Sequence, residues 1–133
     1  MSRAVLDASA LLAVLQKERG AEMLEQHLAG AALSTVSYSE VLKKAVENGG
    51  TLAGADSVIQ GLQLDIVRFD ELLAVEAAGL FTIARENGLP FADRACLALA
   101  IELKAVLYTA DRRLAEVKAP VRIVLIRQVA GRR

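Results

Sequence analysis

A chain of 133 residues, 54% hydrophobic and 24% charged, has the size of one domain and enough apolar side chains to bury a core, which excludes a disordered segment. A single cysteine excludes an internal disulfide framework and gives no metal-ligand spacing, and no apolar run reaches the ~18 residues of a membrane span. Formal net charge is zero, but residues 1–93 hold 7 Lys/Arg and 13 Asp/Glu while residues 94–133 hold 9 and 3, so an acidic front precedes a basic back.

Ala4-Val5-Leu6 is a short apolar run of the kind a buried strand uses, and Asp7 follows it at once. Ala8 to Val14 then reads as a helix, so a carboxylate stands at a strand-to-helix hinge. Gly20 breaks the pattern, and a second helix is expected over Ala21 to Ala29, with Met23, Leu24 and Leu28 on its inner face. Ala31 to Thr35 reads as strand two. Ser37-Tyr38-Ser39-Glu40 opens a third helix that Asn48-Gly49-Gly50 ends.

Leu52 to Leu62 predicts a further helix, and Asp65 to Phe69 a third strand. Asp70 caps a long helix with an apolar stripe of Leu72, Leu73, Val75, Leu80, Phe81 and Ala84, and Gly88 stands where a C-terminal glycine belongs. Leu89-Pro90-Phe91-Ala92 reads as a loop. Asp93-Arg94 enters a helix, Ala95 to Leu103, that is apolar nearly all round and therefore central. Ala105 to Thr109 is strand four, Arg112 to Val117 a short helix, Val121 to Ile126 strand five, and 127–133 a polar tail expected to fray. The alternation predicts one α/β domain over residues 1–133, a parallel sheet with helices on both faces. Cys96 lies in an apolar run and reads as a buried, inert thiol; His27, with no His or Cys near it in sequence, reads as a surface residue rather than a ligand. Arg3 and the apolar stretch after it are interrupted by Asp7, which is not a signal-peptide pattern, so a soluble, cytoplasmic protein is expected.

Three strand ends are followed by an acid: Asp7, Glu40 and Asp111. A fourth acid, Asp93, opens the central helix. Strand-to-helix loops lie at one edge of a parallel sheet, where ligands bind. Taken singly, Asp7, Asp93 and Asp111 read first as helix caps, and Ser37-x-x-Glu40 has the form of a capping box; their gathering at one edge shifts the balance toward a site. Gathered at one edge they repel; two carboxylates ~4 Å apart cost about 4 kcal/mol at an effective dielectric near 20. Protonation or divalent cations relieve that repulsion, and oxygen-only ligands select hard ions, Mg²⁺ or Mn²⁺. The chemistry that follows is metal-assisted hydrolysis of a phosphodiester. Ser9 and Thr109 stand beside Asp7 and Asp111 and either orient a carboxylate or simply pack; Arg94, Arg112 and Arg113 either meet substrate phosphates or are solvated.

Four segments together resemble the PIN-domain ribonucleases, specifically the VapC-type toxins of bacterial toxin–antitoxin pairs: Val5 to Ala13, Ser34 to Val41, Asp93 to Ala100 and Leu107 to Arg113. The resemblance implies a three-layer α/β/α sandwich with strand order 3-2-1-4-5. It implies a Mg²⁺- or Mn²⁺-dependent endoribonuclease with Asp7, Glu40, Asp93 and Asp111 as the acidic quartet. It also implies a homodimer and a small VapB-type antitoxin lying over the site. One departure stands out: Phe91-Ala92 precede the third acid, where relatives usually carry a small polar or glycine pair. Two other readings remain at this point. One is a phosphatase using Asp7 as nucleophile, disfavoured because Ser9 stands where its second acid belongs. The other is a PIN-like module that binds a partner without catalysis.

Overall fold

The computed structural model describes residues 3–126, so the tail expected to fray lies outside the described residues. Five strands, β1 (Ala4–Leu6), β2 (Ala32–Ser34), β3 (Asp65–Val67), β4 (Val106–Thr109) and β5 (Ile123–Leu125), form one parallel sheet in the order β3-β2-β1-β4-β5. The helices are α1 (Ala8–Leu15), α2 (Thr35–Glu47), α3 (Leu52–Gly61), α4 (Glu71–Ala78), α5 (Phe81–Asn87), α6 (Phe91–Leu103) and α7 (Arg112–Ala115), with a 3₁₀ segment over Ala21–His27. This is the doubly wound architecture and strand order expected above.

β1 lies at the centre, paired with β2 through Leu6↔Leu33 and with β4 through Leu6↔Tyr108. Its side chains alternate between two cores, as the two-residue period of a strand requires. Val5 joins Leu73, Leu97, Leu107 and Leu114 on the face covered by α4 to α7. Ala4 and Leu6 join Leu11, Leu24, Leu33, Val41 and Ile59 on the face covered by α1 to α3. Helix α6 is buried over the whole run Ala95 to Ala100, with alanines at three of the six positions, which lets the helix axis approach the sheet. The sheet therefore has two apolar layers on it, and all its strand-to-helix turns emerge at one edge.

The structure corrects several expectations. The segment after Gly20 is 3₁₀ rather than α, stops at His27, and leaves Met23 42% exposed instead of inward. Gly20 enters it at φ +96, a left-handed conformation that glycine adopts without strain. The long helix after Asp70 is two helices. Gly79, a poor helix former, ends α4, and the Leu80 N–H tightens onto the Ala77 carbonyl at 3.1 Å. Leu73, Ala77, Leu80 and Ala84 continue the buried stripe across that break, whereas Leu72, Val75 and Phe81 are exposed. Helix α2 starts earlier than expected: the Ser34 hydroxyl caps it by accepting from the Val36 N–H at 3.1 Å, so Ser37-x-x-Glu40 is no capping box. Helix α6 also starts earlier. The Pro90 carbonyl accepts from both the Asp93 and Arg94 N–H groups at 3.1 Å, which makes Phe91-Ala92 its first turn rather than a loop.

Candidate active site

Asp7 leaves β1 and caps α1. Its Oδ1 accepts from the Ala10 N–H and from the Ser9 hydroxyl, both at 2.8 Å, and its Oδ2 accepts from the Thr109 hydroxyl at 2.5 Å. The carboxylate is 4% exposed. Burial raises its pKa, and the donors Thr109, Ala10 and Ser9 pull against that rise; the Asp111 charge adds to it. One acceptor position on Oδ2 is left after these bonds, so Asp7 has little freedom of its own to reorient.

Ser9 and Thr109 do more than flank the acids. Their oxygens are 3.2 Å apart, Ser9 Oγ accepts from the Ala110 N–H at 2.9 Å, and Thr109 Oγ1 accepts from the Asp111 N–H at 3.0 Å. The two hydroxyls thereby tie the β1–α1 turn to the β4–α7 turn, which adjoin because β1 and β4 are neighbours in the sheet. Asp111 in turn caps α7, accepting from the Arg113 N–H at 2.9 Å. For Asp7 and Asp111 the cap and the site are the same carboxylate. Asp93 is not a cap; it lies in the first turn of α6, where the helix dipole favours a negative charge.

The four acids arrive from four parts of the chain and line one cavity of about 180 Å³, together with Ser9, Ser37 and Lys44. Their crowding is visible in Asp93, whose carboxyl is pushed up from 3.8 to about 6 by burial first, then by the charges of Asp7 and Asp111, with Glu40 adding and Arg113 opposing. Beneath the site Cys96 is fully buried and donates to the Asp93 backbone carbonyl at 3.3 Å. Burial, followed by the Asp7 and Asp93 charges, pushes its thiol well above the ordinary range, which makes it inert.

The donor set, carboxylate oxygens with hydroxyls behind them, suits a hard divalent cation. Among the described residues no three His, Cys, Asp or Glu side chains yet stand close enough to cage an ion. The chemistry of the donors fits the hard ion expected from oxygen-only ligands.

The arginines are placed differently from the acids. None of Arg94, Arg112 and Arg113 lines the cavity. Arg94 sits over the Phe91 ring at 5.6 Å, and Phe91 in turn meets Phe69 edge to face at 5.3 Å. The Arg113 N–H donates to the Asp111 cap, while its side chain acts on the site through its charge on Asp93. His27 lies elsewhere, stacked on Tyr108 at 5.2 Å, and lines a different cavity with Arg3 and Ala4 at the opposite sheet edge. Sequence reasoning missed Lys44 and Ser37. Lys44 is four residues after Glu40 on α2, the spacing that puts two side chains on one helix face. That signal was present once Glu40 was placed inside a helix.

The family model described as PIN domain matches residues 4–120. Solved structures share the fold at low sequence identity. A toxin–antitoxin complex from Klebsiella pneumoniae matches with TM-score 0.73 and 20% identity, over 95% of this chain and 99% of that one. A DNA-bound VapBC from Salmonella typhimurium matches with TM-score 0.71 and 19% identity, over 92% and 97%. VapC20 of Mycobacterium tuberculosis, a sarcin–ricin loop cleaving toxin, matches with TM-score 0.70 and 14% identity, over 86% and 96%. No curated protein matches.

Proposed function

The chain belongs to the PIN domain family, and on that premise we propose that it is a Mg²⁺- or Mn²⁺-dependent endoribonuclease, the toxin of a toxin–antitoxin pair. Its substrate is a structured RNA, tRNA or ribosomal RNA, cut at a phosphodiester to leave a 5′-phosphate and a 3′-hydroxyl. The observation that carries this reading is the convergence of Asp7, Glu40, Asp93 and Asp111 on one cavity at the carboxyl edge of a parallel sheet. The solved relatives named above support the toxin reading, since two of them are toxin–antitoxin complexes and one is an RNA-cleaving toxin.

Asp7 and Asp93 would hold the cation, with Glu40 and Asp111 as further direct or water-mediated ligands. When bound, such an ion supplies a more acidic water and positive charge against the phosphate. The protein's own part is to fix geometry. Ser9, Thr109 and the Ala10 N–H lock the Asp7 carboxylate, and the Asp111 cap is locked to α7 by the Arg113 N–H. The proton of the attacking water passes to a carboxylate of the cavity, because no histidine lines it. Arg94, Arg112 and Arg113 contribute positive potential around the rim for the RNA backbone.

The partners of this reading are the RNA, a VapB-type antitoxin and a second copy of the chain. Leu72, Val75 and Phe81, each more than half exposed on α4 and α5, support a face that another chain covers. No helix among the described residues is long and apolar enough to cross a membrane.

Purified, antitoxin-free protein is expected to cut a panel of tRNA and rRNA in Mn²⁺ and to stop in EDTA. Asp7→Asn and Asp93→Asn should each abolish cleavage while keeping the folded circular dichroism spectrum. Full activity in either variant would overturn the assignment.

A further inference from the structure

We propose that Lys44 is a phosphate-binding residue of this site, its ammonium holding a non-bridging oxygen of the RNA backbone at the scissile position; the inference rests on the ribonuclease reading of the acidic cavity. Among the described residues, Lys44 is the one Lys or Arg side chain that lines the cavity with the four carboxylates. It stands four residues after Glu40 on α2, in the order, acid before base, in which helical ion pairs form best. Both side chains face the same cavity, yet no ion pair joins them, and the Lys44 ammonium has no hydrogen-bond or ion-pair partner among the described residues. Its neighbour Lys43 behaves otherwise, pairing along the helix with Glu47 at 3.2 Å. So one lysine of the pair is spent on the helix surface and the other is held open beside the acids.

That arrangement divides the labour of the cavity. Glu40 remains available to a cation and Lys44 to an anion. The phosphodiester is that anion: a cavity of four carboxylates repels it, and the positive charge of Lys44 on the α2 wall gives it one point of attachment. Arg113 of α7 adds positive charge near Asp93 without lining the cavity. An ammonium is a point charge that recognises any phosphate and reads no base. Lys44 therefore sets affinity and register on the backbone and leaves sequence choice elsewhere.

The test pairs cleavage with binding. Wild type, Lys44→Ala, Lys44→Arg and Lys44→Glu are compared for cleavage of one tRNA in Mn²⁺ and for binding of the same fluorescein-labelled RNA by anisotropy in Ca²⁺, each from 50 to 300 mM KCl. Lys44→Ala is expected to raise KM about tenfold without moving the cut site, and to flatten the slope of log affinity against log salt by roughly 0.7 to 1, the value for one phosphate contact. Lys44→Arg should restore the slope and most of KM, and Lys44→Glu should weaken binding further. A merely structural lysine would alter melting temperature and leave the salt slope alone. Wild-type KM and slope in Lys44→Ala, with cleavage intact, overturn the Lys44 assignment. Absence of cleavage by wild type, with Lys44-dependent binding retained, overturns the ribonuclease reading and leaves the phosphate contact standing.

Discussion

Replacing Asp93 by Asn should stabilise the cation-free protein while it destroys the activity. The carboxyl is held up from 3.8 to about 6, first by burial and then by Asp7 and Asp111. Each tenfold change in proton affinity corresponds to about 1.4 kcal/mol, which would put the ionised group at ~3 kcal/mol against folding. Asp93 is only partly buried, and solvent screening cuts that to ~1–2 kcal/mol. Losing a negative charge from the first turn of α6 takes back about 0.5 kcal/mol. A net gain of ~1 kcal/mol raises the melting temperature of a chain this size by roughly 3–5 °C. The sign follows from linkage. Below pH ~4 the carboxyl is protonated folded and unfolded, and it opposes nothing; between ~4 and 6 the unfolded state loses its proton first, so wild-type stability falls as pH rises; above 6 the full penalty applies. Thermal melts of both proteins from pH 4 to 8 in EDTA should therefore show a gap that opens with pH. Adding Mn²⁺ should raise the wild type at pH 8 and close the gap, because the ion removes the repulsion that the substitution also removes. An Asn variant no more stable than wild type at pH 8, or a gap independent of pH, would refute the account of Asp93 as a crowded charge.

Thr109→Val removes the buried hydroxyl that donates to Asp7 and accepts from the Asp111 N–H, and should cost ~1–3 kcal/mol in urea denaturation together with most of the cleavage rate. Asp111→Ala deletes the α7 cap and should lower stability by about 1 kcal/mol, with a loss of nuclease activity far larger than so small a change explains. Leu6→Ala, in the central strand and fully buried, should cost ~2–5 kcal/mol by calorimetry. The Cys96 thiol should ignore Ellman's reagent in the native protein and react stoichiometrically in guanidinium.

Much of this was legible in the chain because apolar strands end abruptly in acids. Leu6-Asp7 and Thr109-Ala110-Asp111 mark two turns at the same sheet edge, and no other arrangement of a parallel sheet puts them elsewhere. The buried thread of α6 was legible from its unbroken apolar run. What failed were features decided between elements rather than within them. Ser34 and Ser37 are locally alike as caps; the turn out of β2 selects Ser34, and Thr35 is then bonded by the Phe69 N–H at 3.0 Å from the next strand's end. The break at Gly79 leaves the apolar period unchanged across it, so periodicity could not report it. Lys44 stood four residues after Glu40 in the helix read from the sequence, but that spacing did not say that their shared face borders the cavity.

Strand order also has a consequence for timing. Asp7 is made about a hundred residues before its partner hydroxyl on Thr109, at the end of β4, and before the neighbouring acid Asp111, which caps α7. At ~5–20 residues per second of synthesis, roughly 5 to 20 s pass before β1 can find β4. Until then the centre of the sheet has an open flank and the cavity has only part of its wall. A growing chain therefore lacks the assembled cavity until β4 pairs with β1.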